Sequence, residues 1–220
     1  MIIAIDGPAA SGKSTAAMGV AKRLGITYLD TGAMYRAVTF GLIANHIGFE
    51  NSHDIENFLG KIEIKFSENK TRTFLSLNGR DITKEIRSDV VTKNVSEVSA
   101  LNSVRKSMVS IQRKMAEVDD CILEGRDIGT VVFPNADFKF FLTADEKSRA
   151  ERRLNDLKAI GEMSSLEEVM NDLINRDHKD STRANSPLKK SDDAIIIDTS
   201  RLGISKVIDK IVNIVKHKGH

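Results

Sequence analysis

The segment Gly7-Pro-Ala-Ala-Ser-Gly12-Lys13-Ser14 fills every defined position of the pattern G-x-x-x-x-G-K-[ST]. It follows the apolar run Met1-Ile-Ile-Ala-Ile-Asp6 and precedes Ala17, Met18, Ala21 and Leu24 at helical spacing, which is the strand–turn–helix context that the chemistry requires. Glycines there let successive backbone N–H groups turn inward as an anion nest, and the helix N-terminus adds partial positive charge. Gly7, Pro8, Ala9, Ala10, Ser11, Gly12, Lys13, Ser14 and Thr15 are therefore expected to cradle a nucleoside triphosphate. Lys13 would reach the β and γ phosphates, and the Ser14 hydroxyl would sit on Mg²⁺. Either ATP or GTP satisfies the pattern.

Three further charged clusters suit a phosphate site. Arg176, Asp180 and Arg183 continue the spacing of Leu166, Val169, Met170 and Leu173, so they are expected to project together from one side of a helix beginning near Ser165. Arg149, Arg152 and Arg153 form a second group on the helix after Asp145, ahead of a break at Gly161 where a segment would close over a triphosphate. Glu124-Gly125-Arg126-Asp127 follows the apolar strand starting at Cys121, at the end of a parallel strand where ligands bind in open α/β sheets. Its acids suit metal-water coordination and its arginine suits a phosphate clamp. The plain alternative for each group is solvated surface charge, with ion pairs of little energetic consequence. The Asn-Lys-x-Asp tetrapeptide that reads guanine in switch GTPases is missing, since Asn69-Lys-Thr-Arg72 ends in the wrong charge.

The elements that would position these groups alternate. Strands are expected at Met1–Asp6, Ile26–Leu29, Cys121–Leu123, Phe138–Leu142 and Ala194–Asp198, the first and the last two reading as buried, with helices between them. One helical region is expected from about Ser88 to Glu117, and another, with Val207, Ile208, Ile211 and Val215 on one face, from about Ser205 to Lys216, packed on the core. Residues 61–84 break the rhythm: Ile62, Ile64 and Phe66 alternate with charges, and Asn78-Gly79 signals a hairpin turn. The fold class is thus α/β, a five-stranded parallel sheet flanked by helices with a small antiparallel insertion and a short helical lid.

Composition narrows the function further. A chain of 220 residues suits one domain or a core with a subdomain. Thirty-three basic against 31 acidic side chains leave a net charge of +2, which is no nucleic-acid footprint, and the absence of Trp with 5% aromatics offers no base-stacking surface. Cys121 is the single cysteine and cannot form an internal disulfide, which suits a reducing cytosol. No run approaches the ~18 apolar residues of a membrane span, and Asp6 interrupts any leader-like start, so a cytoplasmic location is expected. The five histidines show no paired spacing, and a structural zinc site is not expected.

Together, Asp6-Gly-Pro-Ala-Ala-Ser-Gly-Lys-Ser-Thr15, Asp30-Thr-Gly-Ala-Met-Tyr-Arg36, Gly125-Arg-Asp-Ile-Gly-Thr-Val-Val-Phe-Pro134, Arg176-Asp and Arg183-Ala-Asn-Ser-Pro-Leu188 closely resemble the bacterial cytidylate kinase family, nucleoside monophosphate kinases of the P-loop superfamily. The resemblance spans essentially the whole chain. It implies a single kinase domain with core segments 1–30, 106–148 and 184–220, a monophosphate-binding region 31–105 containing the insertion 61–84, a lid 149–164 and a following helix 165–183. It implies transfer of the ATP γ-phosphoryl to CMP or dCMP with Mg²⁺; the charge balance, the lack of an apolar span and the core-facing stripe of the last helix lead to the expectation of no nucleic-acid or membrane partner and of a monomer. On the matching positions, Thr31, Arg36 and Arg126 are expected to hold the acceptor phosphate, Ser96, Arg105 and Asp127 to read cytosine, and Arg176 and Asp180 to contact the sugar. Arg183 is expected to touch substrate, and Arg149, Arg152 and Arg153 to neutralise charge on the transferring group. Glu124 stands where some relatives carry Asp, which leaves its role toward Mg²⁺ open. Two other readings stay in view: a P-loop kinase with a UMP or non-nucleotide acceptor, and a non-enzymatic nucleotide-dependent switch or RNA-binding module.

Overall fold

Strand β1 (Ile2–Asp6) is buried from Ile3 onward, as its uninterrupted apolar run requires of a strand covered on both faces. In the computed structural model, which describes residues 1–68, 73–159 and 161–218, it leads to α1 (Lys13–Leu24), β2 (Thr27–Asp30), α2 (Thr31–Ala44), α3 (Ser52–Leu59), β3 (Ile64–Glu68), β4 (Thr73–Leu77) and β5 (Arg80–Asp81). There follow α4 (Asp89–Val98), α5 (Asn102–Ala116), β6 (Cys121–Gly125), β7 (Phe138–Thr143), α6 (Glu146–Ala159), α7 (Leu166–Thr182), β8 (Ile195–Asp198) and α8 (Ile204–Lys218). A π-helical turn spans Ile128–Val132. The chain forms two compact units, residues 1–30 with 115–220, and residues 31–114.

The first unit is built on a five-stranded parallel sheet in the order β2-β6-β1-β7-β8. Ile3 lies opposite Ile122, Ile5 opposite Phe140, and Leu142 opposite Ile197. These residues share one face of the sheet because side chains alternate along a strand. Ala16, Ala17 and Val20 of α1 and Val207, Ile211 and Val215 of α8 pack against them, so the apolar stripe of α8 is spent on the core. Strand β8 departs from its expected burial: it lies at the sheet edge, and Ile196 is 54% exposed while Ile197 is fully buried.

The second unit holds the antiparallel insertion, a three-stranded sheet in the order β3-β4-β5. Asn78 and Gly79, with φ of 51° and 80°, make the tight turn between β4 and β5 that their left-handed tolerance predicts. Ile64, Leu75, Leu77 and Ile82 are buried in this unit. Residues 69–72, the Asn69-Lys-Thr-Arg72 tetrapeptide, lie outside the described residues.

The single helix expected over Ser88–Glu117 is two, α4 and α5. Ser99 ends the first: its hydroxyl donates back to Ser96 O at 3.0 Å, the local side-chain bond by which serine competes with a helix. Helix α3 was not anticipated, being eight residues long with Ile55 its one buried side chain, too short for a readable period. Asn51 caps it by accepting from the Asp54 N–H at 3.2 Å. Among the described residues no helix is long and apolar enough to cross a membrane.

Ile211 is fully buried where α8 meets the sheet. Ile211→Ala is expected to lower unfolding stability by about 2–5 kcal/mol, read from urea midpoints; a loss below ~1 kcal/mol would show that α8 does not close this core.

Candidate active site

The loop from Gly7 to Gly12 leaves the C-terminal end of β1, the central strand, and delivers the chain into α1. Gly7 has φ of 150°, and a Cβ added there would lie 2.0 Å from the Leu142 carbonyl oxygen of β7, so no other residue fits. Ala10 adopts φ of 58°, a left-handed conformation that costs a non-glycine residue on the order of 1–3 kcal/mol and is characteristic of ligand-holding turns. Gly12 caps α1, whose first N–H groups have no partner within the helix and face an incoming anion.

Lys13 is 5% exposed and folds back over the loop, its Nζ donating to Pro8 O at 2.6 Å and lying 3.5 Å from Ser11 Oγ. Burial, followed by repulsion from Arg126 and Arg176, pulls its pKa down to about 7. Ser14 Oγ donates to Glu124 Oε1 at 2.6 Å, and the Tyr28 hydroxyl lies 3.5 Å from the same oxygen. Burial and the nearby Glu124 carboxylate push the Tyr28 phenol far above its ordinary range, so it remains a neutral donor.

Asp6, which sequence reasoning did not single out as a site residue, ties this loop to the next. Its Oδ1 and Oδ2 accept the backbone N–H groups of Ile128 and Gly129 at 2.8 and 2.7 Å. The π-helical turn they open, with Phe133 N–H donating to Ile128 O at 2.7 Å, follows directly from Gly125-Arg126-Asp127. The hints in the sequence are an acid ending an apolar strand and its place at the head of the Asp6–Thr15 motif, neither of which names a role.

The acids and arginines of β6 and α7 form a network. Arg126 Nε donates to Asp180 Oδ2 at 2.9 Å, and Arg183 places Nη2 3.7 Å from Asp127 Oδ1 and Nη1 3.9 Å from Asp180 Oδ1. The side chains of Asp127, Asp180 and Arg183 are 5–7% exposed, too buried for the energetically idle surface pairs of the plain alternative. Arg176 and Asp180 lie on α7 as expected, but Arg183 is its C-cap residue, with extended φ and ψ of −62° and 141°, and so lies off the helix face. Its Nε donates to Ser186 O at 2.6 Å, and Leu188 N–H donates to Asp180 O at 2.7 Å, which folds the following segment back onto the helix end.

The arginines of α6 separate. Arg149 is buried against Asp177 and the Ala9 carbonyl. Arg152 donates Nη1 to Thr199 Oγ1 at 2.9 Å and Nη2 to Thr199 O at 2.6 Å, while Thr199 Oγ1 donates to Ser11 O at 3.0 Å. Beside them is a pocket of about 150 Å³ bounded by Gly12, Thr15, Arg152, Leu202, Ile204 and Val207. Arg153 is half-buried on the same helix. Asp177 was visible only as part of the Arg176-Asp motif, with no role attached, and Thr199 and Leu202 carried no signal in the sequence, because each acquires its role from a distant segment.

In the second unit, Thr31 begins α2 and is buried, and Arg36 Nη1 donates to Thr92 Oγ1 of α4 at 3.0 Å. Arg105 is 3% exposed; its Nη1 donates to Ser99 O at 3.3 Å, and its guanidinium stands 5.2 Å from the Tyr35 ring centroid, in cation–π range. Ser96 is half-buried on α4. Tyr35 and Thr92 were not among the residues expected here.

A phosphate loop between β1 and α1, a carboxylate at the end of the adjacent β6 and a buried arginine–carboxylate network are the fold and site of a P-loop nucleotide-dependent enzyme. The family profile described as cytidylate kinase matches residues 3–217. The chain is 47% identical over 218 residues to a cytidylate kinase of Halalkalibacterium halodurans, covering 99% of this chain and 98% of that one. It is 47% identical over 214 residues to one of Alkaliphilus oremlandii, covering 97% of each. A solved structure of an uncharacterized protein from Eubacterium ventriosum aligns with a TM-score of 0.54 at 13% identity, covering 98% of both chains, a likeness of fold alone. The chain belongs to the cytidylate kinase family.

Burial raises the Asp6 carboxyl from 3.8 to about 6, against the two backbone N–H groups that favour its charge. A raised carboxyl pKa means that the folded state holds this proton more tightly than the unfolded chain, so its stabilising contribution is complete below about pH 4 and lost as pH rises through 6. Asp6→Asn removes the titration. The stability of the wild type relative to the variant is expected to be greater at pH 4 than at pH 7 by on the order of 2–3 kcal/mol in urea unfolding; a difference independent of pH would show an ordinary carboxyl.

Proposed function

We propose that the chain transfers the γ-phosphoryl group of ATP to CMP and dCMP, releasing ADP and CDP or dCDP. The observation that carries this is the intact phosphate loop beside the Ser14–Glu124 pair in a cytidylate kinase family member. A loose, nearly in-line phosphoryl transfer needs little covalent assistance, so catalysis comes from positioning two anionic nucleotides and spreading cations around the moving group. The backbone of Gly7–Thr15 holds the donor phosphates, and Lys13 exchanges Pro8 O for their oxygens. The pocket lined by Arg152, Leu202, Ile204 and Val207 suits the donor's base and ribose.

Ser14 and Glu124 offer two hard oxygen donors 2.6 Å apart and are the residues that would hold Mg²⁺. Mg²⁺ held there would supply charge neutralisation for the donor phosphates. The acceptor phosphate is assigned to Thr31, Arg36 and Arg126, cytosine to Ser96, Arg105 and Asp127, and the sugar to Arg176 and Asp180, with Arg183 a further substrate contact. Residues 31–105, which fall within the compact unit 31–114, are accordingly read as the monophosphate-binding region, and Arg153 as the α6 arginine available to the transferring group. The attacking phosphate oxygen is ionised at neutral pH, so no general base is assigned. The burial of the α8 stripe supports a monomer, and the free, buried Cys121 suits a reducing cytoplasm.

A coupled ADP-release assay with ATP and Mg²⁺ across CMP, dCMP, UMP, AMP, GMP and no acceptor tests this reading, with the diphosphate product confirmed chromatographically. CMP and dCMP are expected to stimulate turnover far above the others; absence of stimulation by any monophosphate, with ATP still bound, overturns the acceptor assignment. Glu124→Gln is expected to lower kcat by about 10²-fold or more and to raise the Mg²⁺ concentration needed for half-maximal rate; an unchanged Mg²⁺ requirement would exclude Glu124 from the metal site.

A further inference from the structure

Both backbone polar atoms of Ala9, in the turn of the phosphate loop, are taken by side chains from outside the loop. Its N–H donates to Asp177 Oδ1 at 3.1 Å, and its carbonyl accepts from Arg149 Nη1 at 3.2 Å. Arg149 Nη1 also donates to Asp177 Oδ2, closing a ring around the residue. Arg149 comes from α6 and Asp177 from α7. Their side chains are 8% and 18% exposed, so the charge-assisted bonds are shielded from water and hold their geometry. The Ala9 side chain packs with Ala150, Leu157, Val169 and Leu173 of the same two helices. The next residue is Ala10, the loop's left-handed non-glycine, and a strained turn of that kind persists only where its surroundings over-determine it.

We propose that Arg149 and Asp177 act as one positioning unit for the donor triphosphate. The pair grips the two peptide groups flanking Ala9, holds Ala10 in its left-handed conformation, and so sets the direction in which the N–H groups from Ala10 onward meet the phosphates. Arg149 serves the loop in this role and does not touch the transferring group. The α6–α7 pair becomes part of the frame of the anion nest, and donor affinity depends on an ion pair that contacts no nucleotide. This inference rests on Gly7–Thr15 being the ATP cradle.

The test is calorimetric titration of ATP into the full chain, together with kcat and both KM values, for the wild type, Asp177→Asn, Arg149→Lys and the double variant. Asp177→Asn keeps an acceptor for the Ala9 N–H, and Arg149→Lys keeps the charge while losing the planar fork. Each single change is expected to weaken ATP binding and raise its KM about 10-fold, leaving KM for CMP and kcat at saturating ATP within about 3-fold. The double variant is expected to bind ATP within about 2-fold of the weaker single, because the two side chains act as a unit. A 10²-fold fall in kcat for Arg149→Lys without a matching fall for Asp177→Asn would place Arg149 on the transferring group and overturn the proposal. Unchanged ATP affinity in both singles, or effects that multiply in the double, overturns it as well. Failure of the wild type to bind ATP removes the cradle reading and the positioning unit together. Amide hydrogen exchange in the nucleotide-free wild type needs no variant to fold: the Ala9 N–H is expected to exchange at least about 10²-fold more slowly than an unprotected amide, and free exchange overturns the bracket.

Discussion

A site that receives polyanions has to hold several cations together, poorly solvated, before any anion arrives. Lys13 shows the consequence: burial and the neighbouring Arg126 and Arg176 pull its pKa down to about 7. The first unit answers with carboxylates. Asp180 holds Arg126, Asp127 and Asp180 flank Arg183, and Asp177 holds Arg149. A buried pair of this kind adds little net stability, yet removing one member leaves a charge uncompensated and is costly. Its return is geometric, since a guanidinium fixed by a carboxylate presents its remaining donors in a set direction.

The parallel sheet makes this arrangement attainable. Because β1 and β6 run side by side with Asp6 opposite Gly125, the phosphate loop and the Glu124–Asp127 segment leave the sheet at one end. Asp30 of β2 lies opposite Glu124 on the other side. Glu124 and Asp30 thus share one face at this end of the sheet, and Asp6, one residue further along β1, points to the other, at the end where loops of an open α/β sheet bind ligands. Asp6 secures this end by accepting both backbone donors at the head of the π-helical turn, so the position of Arg126 and Asp127 follows from a strand 120 residues earlier in the chain. The packing of α1 and α8 on the opposite portion of β1 holds the strand itself.

Legibility in the sequence tracked the range of the interactions. The five strands, the antiparallel insertion and the α8 stripe were readable because a period of two or of 3.6 is a local property. Where a local bond interrupts the period, as the Ser99 hydroxyl does between α4 and α5, one helix read from spacing became two. Arg183 followed the spacing of α7 but lies beyond its last turn, because periodicity does not say where a helix stops. Arg149, Arg152 and Arg153 looked alike as a cluster on one helix. Packing gave two of them different partners, Asp177 with Ala9 for Arg149 and Thr199 for Arg152.

By itself the sequence determined the α/β alternation, the phosphate loop and the family. An anion nest is made from consecutive backbone groups, so eight adjacent residues specify it without reference to the rest of the chain. Tertiary structure alone decided which carboxylate meets which cation, that Asp6 secures the Arg126–Asp127 segment, and that Arg149 faces the loop. Those contacts join residues far apart in sequence, and their energies depend on burial and direction, quantities that do not exist until the sheet and helices have packed.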